Sequence, residues 1–75
     1  MKIISQDKKT IANLETIKIT EIDHIGGKYT ISVHLQDNYC KKLGEYNTLE
    51  RAIEVLNGIT EADIGGWKRY ELPLE

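Results

Sequence analysis

At 75 residues the chain makes one small domain, 1–75, which buries only about 60–65% of its unfolded surface and so has a thin stability margin. Its 40% hydrophobic and 29% charged residues are a globular balance, and no apolar run exceeds two residues, which excludes a membrane-spanning helix. A net charge of −2 argues against a dedicated binder of duplex nucleic acid.

The chain opens with "KIISQ", where Ile3-Ile4 suits a short strand, and Asp7 to Thr10 is polar turn material. "IAN" and "LETIKITEIDHI" resume an Ile-rich, β-branched character that favours a sheet. Gly26-Gly27 follows and fits a tight hairpin turn, since glycine reaches positive φ without penalty. "KYTISVHLQ" alternates strictly: Tyr29, Ile31, Val33 and Leu35 point one way, and Thr30, Ser32, His34 and Gln36 the other.

A two-residue loop at Gly26-Gly27 sets Ile22 opposite Ile31. Without interruption Thr20 then falls opposite Val33 and Lys18 opposite Leu35, which turns Ile17 and Ile19 outward. One extra residue near Thr20-Glu21 restores them, so a β-bulge is expected there. Gln36 to Asn38 reads as a turn, and Tyr39 to Gly44 as a further strand.

In "YNTLERAIEVLNGITEADI", Leu49, Ala52, Ile53, Leu56 and Ile59 recur at steps of three and four, the apolar stripe of a helix. Asn47 or Thr48 caps it, and Asn47 with Glu50 has the spacing of a capping box. The helix stops at Asn57-Gly58 or continues to about Asp63; both endings are open. "WKRYEL" is extended, and Pro73 ends it or places it at an edge. The final Leu74-Glu75 has the form of a cloning remnant and carries little weight.

The fold class expected is α+β: a curved antiparallel meander of about four to five strands, one amphipathic helix packed across one face, and a short C-terminal extended segment. Ile17, Ile19, Ile31, Val33 and Leu35 are the expected core partners of the helix. The opposite face, with Thr30, Ser32 and His34, is expected to be solvated or covered by a partner.

"KIISQD", "LGEYNTLERAIEVL" and the terminal "YELP" resemble a group of small proteins from phages and mobile elements of Gram-positive bacteria. The resemblance covers about half the chain, and Leu72 stands where that group favours methionine. It implies a phage-borne, cytoplasmic protein, and no settled activity. Proteins of that setting often bind a host protein or sequester a small defence signal.

Little in the chain suggests catalysis. His24, His34 and Cys40 fall short of the four regularly spaced ligands of a structural zinc site. Cys40 with His34 lacks a flanking signature and an orienting acid for a nucleophilic dyad. No phosphate-cradling or dinucleotide glycine motif is present, and Gly26-Gly27-Lys28 is better read as a turn. No enzyme activity, metal or cofactor is expected. The lone Cys40 cannot form an internal disulfide, and with no signal-peptide pattern the expected setting is cytoplasmic.

Two stretches remain for binding. One is the tail with Trp67, Lys68, Arg69 and Tyr70, residue types that dominate interface hot spots. Its plainer reading is that Trp67 caps the core and Tyr70 packs beside the helix. The other is Tyr39, Lys41 and Lys42, with His34 and Tyr46 near, a basic-aromatic patch fit for a nucleotide or a short single strand. Its plainer reading is an edge strand whose lysines discourage aggregation. The expected function is therefore binding without catalysis, through an unidentified protein partner or as a homo-oligomer. The alternative is a homo-oligomeric sponge for a small nucleotide signal, and a small enzyme ranks third.

Overall fold

A computed structural model describes residues 1–17, 19–34 and 39–75. The elements are β1 (Lys2–Ile4), β2 (Ile11–Asn13), a 3₁₀ turn (Leu14–Thr16), β3 (Ile19–Ile25), β4 (Lys28–His34), β5 (Cys40–Tyr46), α1 (Leu49–Ile64) and β6 (Arg69–Glu71). The class is α+β, and among the described residues there are one α-helix, packed on sheet, and six strands rather than about four to five. The strands form two three-stranded sheets, ordered β2-β1-β6 and β3-β4-β5. Only β3-β4-β5 is a meander. The extended tail is a strand, β6, lying parallel to β1 with Tyr70 opposite Ile3.

The "SQD" opening is a turn built from its own side chains. Ser5 Oγ donates to Asp7 Oδ1 (2.6 Å) and accepts from Thr10 N–H (3.1 Å), while Lys9 N–H donates to the same Asp7 oxygen (2.9 Å). These bonds hold the Asp7 carboxyl below the usual carboxylate range, the Ser5 bond first. They fix the β1–β2 hairpin, in which Lys8 adopts φ 64.

The Gly26-Gly27 turn is as expected, with φ of 57 and 78, both positive as a type I′ hairpin requires. The bulge is not where the sequence reading places it. The β3–β4 ladder is regular from Ile25↔Lys28 to Ile19↔His34, with Thr20 opposite Val33. Ile17 instead reaches the core from outside the ladder, after the 3₁₀ turn, so no strand residue is inserted on its behalf. The side chain of Ile19, Lys18, Leu35 and the turn at 36–38 lie outside the described residues.

The irregularity sits one hairpin later. Ile31 pairs with Gly44 and Ser32 with Lys42, which leaves Leu43 as the extra residue of β5. Leu43 and Tyr46 are three apart, so a regular strand would aim them at opposite faces. The bulge turns both into the core, where they are 2% and 3% exposed.

One buried cluster joins both sheets: Ile3, Ile31, Val33, Leu43, Tyr46, Ala52, Val55, Ile59 and Leu72. The helix lays Ala52, Val55, Ile59 and Ala62 over β4, β5 and β6. Its N-cap is Thr48, whose Oγ1 accepts from Arg51 N–H at 3.1 Å. The Asn47–Glu50 box therefore does not form: the cap falls one residue later, and Arg51 occupies the position a box gives to Glu or Gln. The helix runs through Gly58 to Ile64. A Cβ on Gly58 would lie 2.5 Å from the Tyr70 hydroxyl oxygen, so this mid-helix glycine makes room for the β6 side chain. Gly44 likewise permits a close approach, since a Cβ there would meet Gln6 and Leu72 at 3.1 Å.

The face of β4 away from the helix is only partly solvated: His34 is half-buried, and the flanking Glu21, Lys42 and Glu45 keep 41–59% of their side chains exposed. Thr30 and Ser32 are each 4% exposed. They lie on the central strand, opposite Asp23 and Glu21 on β3 and Glu45 and Lys42 on β5.

Candidate functional site

The tail begins where α1 ends in a Schellman turn. Gly66 takes φ 75, Gly66 N–H donates to Asp63 O (3.1 Å) and Trp67 N–H to Ala62 O (3.0 Å). The indole lies against Gly65, where any Cβ would sit 3.3 Å from Trp67 Cδ1. Trp67 does not cap the core: it is 60% exposed, next to Ile64 at 82%. Lys68 and Arg69 are exposed, and Arg69 bonds to Glu71. Tyr70 alternates inward, half-buried against Gly58, and burial raises its pKa. Three of the four tail candidates are thus exposed, and the fourth packs β6 against the helix. β6 is also an edge strand of its sheet.

The second patch is divided by the pleat. Tyr39 and Lys41 line a groove of about 360 Å³ with Ile11, Asn13, Thr16 and Val33. Lys42 points to the opposite face and pairs with Glu45 at 3.4 Å. Tyr46 belongs to the core, donates to Pro73 O at 2.7 Å, and has its pKa pushed up to about 12, chiefly by burial. β5 is an edge strand, as the plainer reading holds. A wider groove of about 420 Å³ opens at the start of α1, where Arg51 is already bonded to Glu54 and to Glu75 O.

His34 lies on the polar face with Cys40 directly opposite. Its Nε2 is 4.0 Å from Cys40 Sγ and 2.6 Å from Glu21 Oε1. A catalytic relay places the orienting acid and the nucleophile on different ring nitrogens. Here both meet the same one, so Glu21 competes with the thiol instead of orienting the ring for it. Among the described residues, no group of three or more His, Cys, Asp or Glu side chains is arranged to hold a metal, and no helix is long and apolar enough to cross a membrane.

The sequence reading missed Glu21, Ile64 and Gln6. Glu21 was discoverable, because a regular ladder places it diagonal to His34. Gln6 matters most. Its Oε1 accepts from Glu45 N–H (2.9 Å), and its Nε2 donates to Glu45 O (3.0 Å), Leu74 O (2.8 Å) and Pro73 O (3.3 Å). "SQD", "LGEY" and "ELP" therefore meet at one amide. The three stretches that look most like motifs are the joints of the fold.

Comparison with known proteins finds no matching family model, curated protein or solved structure.

Proposed function

We propose that this chain is a non-enzymatic binding protein, of the kind carried by phages or mobile elements of Gram-positive bacteria, that acts in the cytoplasm through a protein partner. The observation that carries this reading is the exposed Trp67, 60% accessible beside Ile64 and Arg69 at the entry to an edge strand. A tryptophan held on a hydrogen-bonded turn presents a large apolar area at low entropic cost, which is how interface anchors work.

The test is capture from a Gram-positive host lysate, run beside a thermal-shift panel of nucleotides. The reading expects one host protein retained by the wild type and lost by Trp67→Ala, with the melting temperature unchanged. A nucleotide that raises the melting temperature by several degrees would favour a small-signal sponge instead, because a ligand bound only to the folded state stabilises it.

A further inference from the structure

The two edges of the β3-β4-β5 sheet are finished differently. Along β5, Gln6 N–H donates to Leu43 O (2.7 Å) and the Gln6 amide bonds both backbone groups of Glu45. Along β3, no backbone group among the described residues bonds to the outer side. The hairpin closes on the pair Ile25–Lys28, so Ile19, Glu21, Asp23 and Ile25 turn their N–H and C=O groups toward β4. Thr20, Ile22 and His24 turn theirs outward.

This open edge is seven residues long, regular, and has no proline, lysine or bulge in "ITEIDHI". Sheets that must stay unpaired blunt their edges with those devices. Its two faces carry different chemistry. Glu21 and Asp23 share the polar face, and among the described residues Asp23 has no ion-pair partner. Ile22 lies on the other face and packs against the core margin. α1 packs chiefly over β4, β5 and β6, and Ile22 stays only half-buried at the margin. Gly58 faces Tyr70 on β6, and Leu49, Ile53 and Leu56 sit about 140–180° round the helix from it, on the side away from β6. Leu49 and Ile53 are each 42% exposed.

A second copy of the chain fits this edge poorly in the register centred on Ile22. Antiparallel pairing of β3 with itself about Ile22 sets each copy's Glu21 against the other's Asp23, and like charges directly opposed are destabilising. We infer that the outer edge of β3 is a docking site for an extended segment of another protein in which apolar residues alternate with lysine or arginine. Its backbone pairs with Thr20, Ile22 and His24. Its apolar side chains meet Ile22 and the flank of Leu49 and Ile53, and its cations meet Glu21 and Asp23. This goes beyond the tail reading, and since β3 and β6 are edges of different sheets, either surface can fail without the other.

Fluorescence anisotropy with two labelled peptides tests it: acetyl-TKVKVKT-amide and the acidic acetyl-TEVEVET-amide. The expected result is saturable binding of the basic peptide to the intact protein, at least about ten-fold tighter than the acidic one and weakened by added salt. N-Methylation of alternate amides along one edge of the basic peptide should weaken it about ten-fold or more, with the protein unchanged. The Glu21→Lys, Asp23→Lys double variant should reverse the preference, and Trp67→Ala should leave it intact. Equal binding of the two peptides, no binding, or indifference to N-methylation overturns the inference. So does a wild-type dimer in light scattering that dissociates when the basic edge residues are introduced, because β3 would then be covered by a second copy.

Discussion

β5 and β3 flank the same central strand, and each is seven residues long, yet one edge is closed and the other open. The closure needs no additional strand. A primary amide carries the same donor and acceptor as a peptide group, so Gln6 stands in for one strand residue opposite Glu45. The remaining Gln6 bonds, to Leu74 O and Pro73 O, fasten the C-terminal segment over the same edge. Among the described residues, β3 has no such cover. The contrast locates the surface available for pairing more sharply than composition does, because exposed aromatics and charges are spread over several faces.

The comparison can be broken first from the closed side. Leu72 is 1% exposed and packs against Gly44 of β5. Leu72→Ala should cost about 3 kcal/mol, read as a lower urea midpoint, because it removes buried area and leaves a cavity under the covering segment. Gln6→Ala should cost about 2 kcal/mol, since several backbone bonds lose their partner together. It should also produce concentration-dependent association in light scattering, which the wild type lacks at the same concentration. Gln6→Glu should behave similarly, because a carboxylate cannot donate to Glu45 O or Leu74 O. An unchanged midpoint in both variants would mean that the amide does not close the edge.

Tyr46 ties the closed edge to pH. Its folded-state pKa is raised from 10.0 to about 12 by burial, so its contribution is fully present below pH 10 and is lost as pH rises toward 12. Stability measured by urea melts should fall through that window. Tyr46→Phe should flatten the fall while costing about 1 kcal/mol at neutral pH for the bond to Pro73.

Two smaller effects sharpen the contrast. Gly58→Ala should destabilise by about 1 kcal/mol despite the better helix propensity of alanine, because Tyr70 and β6 must move. In a Tyr70→Leu background the same change should become neutral or stabilising. On the open side, Ile25→Thr should change stability by less than about 0.5 kcal/mol, as expected of an edge-strand position that is 61% exposed. A loss of more than about 1 kcal/mol there would show that β3 is covered by its own chain.

Much of this was legible locally. The alternation through Ile31 and Val33, the Gly26-Gly27 turn and the helix itself follow from period and residue type, but the choice of Thr48 over Asn47 as cap does not, and the buried stripe is rotated onto Val55 and Ala62, leaving Leu49 and Ile53 each 42% exposed. The bulge was the instructive error. A spacing of three between apolar residues occurs at Ile19–Ile22 and again at Leu43–Tyr46, and only the second is repaired by a bulge. In β3 the apolar demand is met by Ile17, which lies outside the ladder, and periodicity carries no record of that choice. The split of Lys41 from Lys42 was legible from the pleat alone, while the exposure of Trp67 was not, because the turn fixes its backbone N–H and leaves the side chain to be placed by packing.

The elements, their order and the α+β class are written in the chain itself, because period, glycine turns and caps act over a few residues. That β6 joins β1, that Gln6 closes β5 and that β3 stays open are products of the folded arrangement. Those outcomes depend on backbone groups brought together from opposite ends of the chain, where a single amide satisfies what no local pattern specifies.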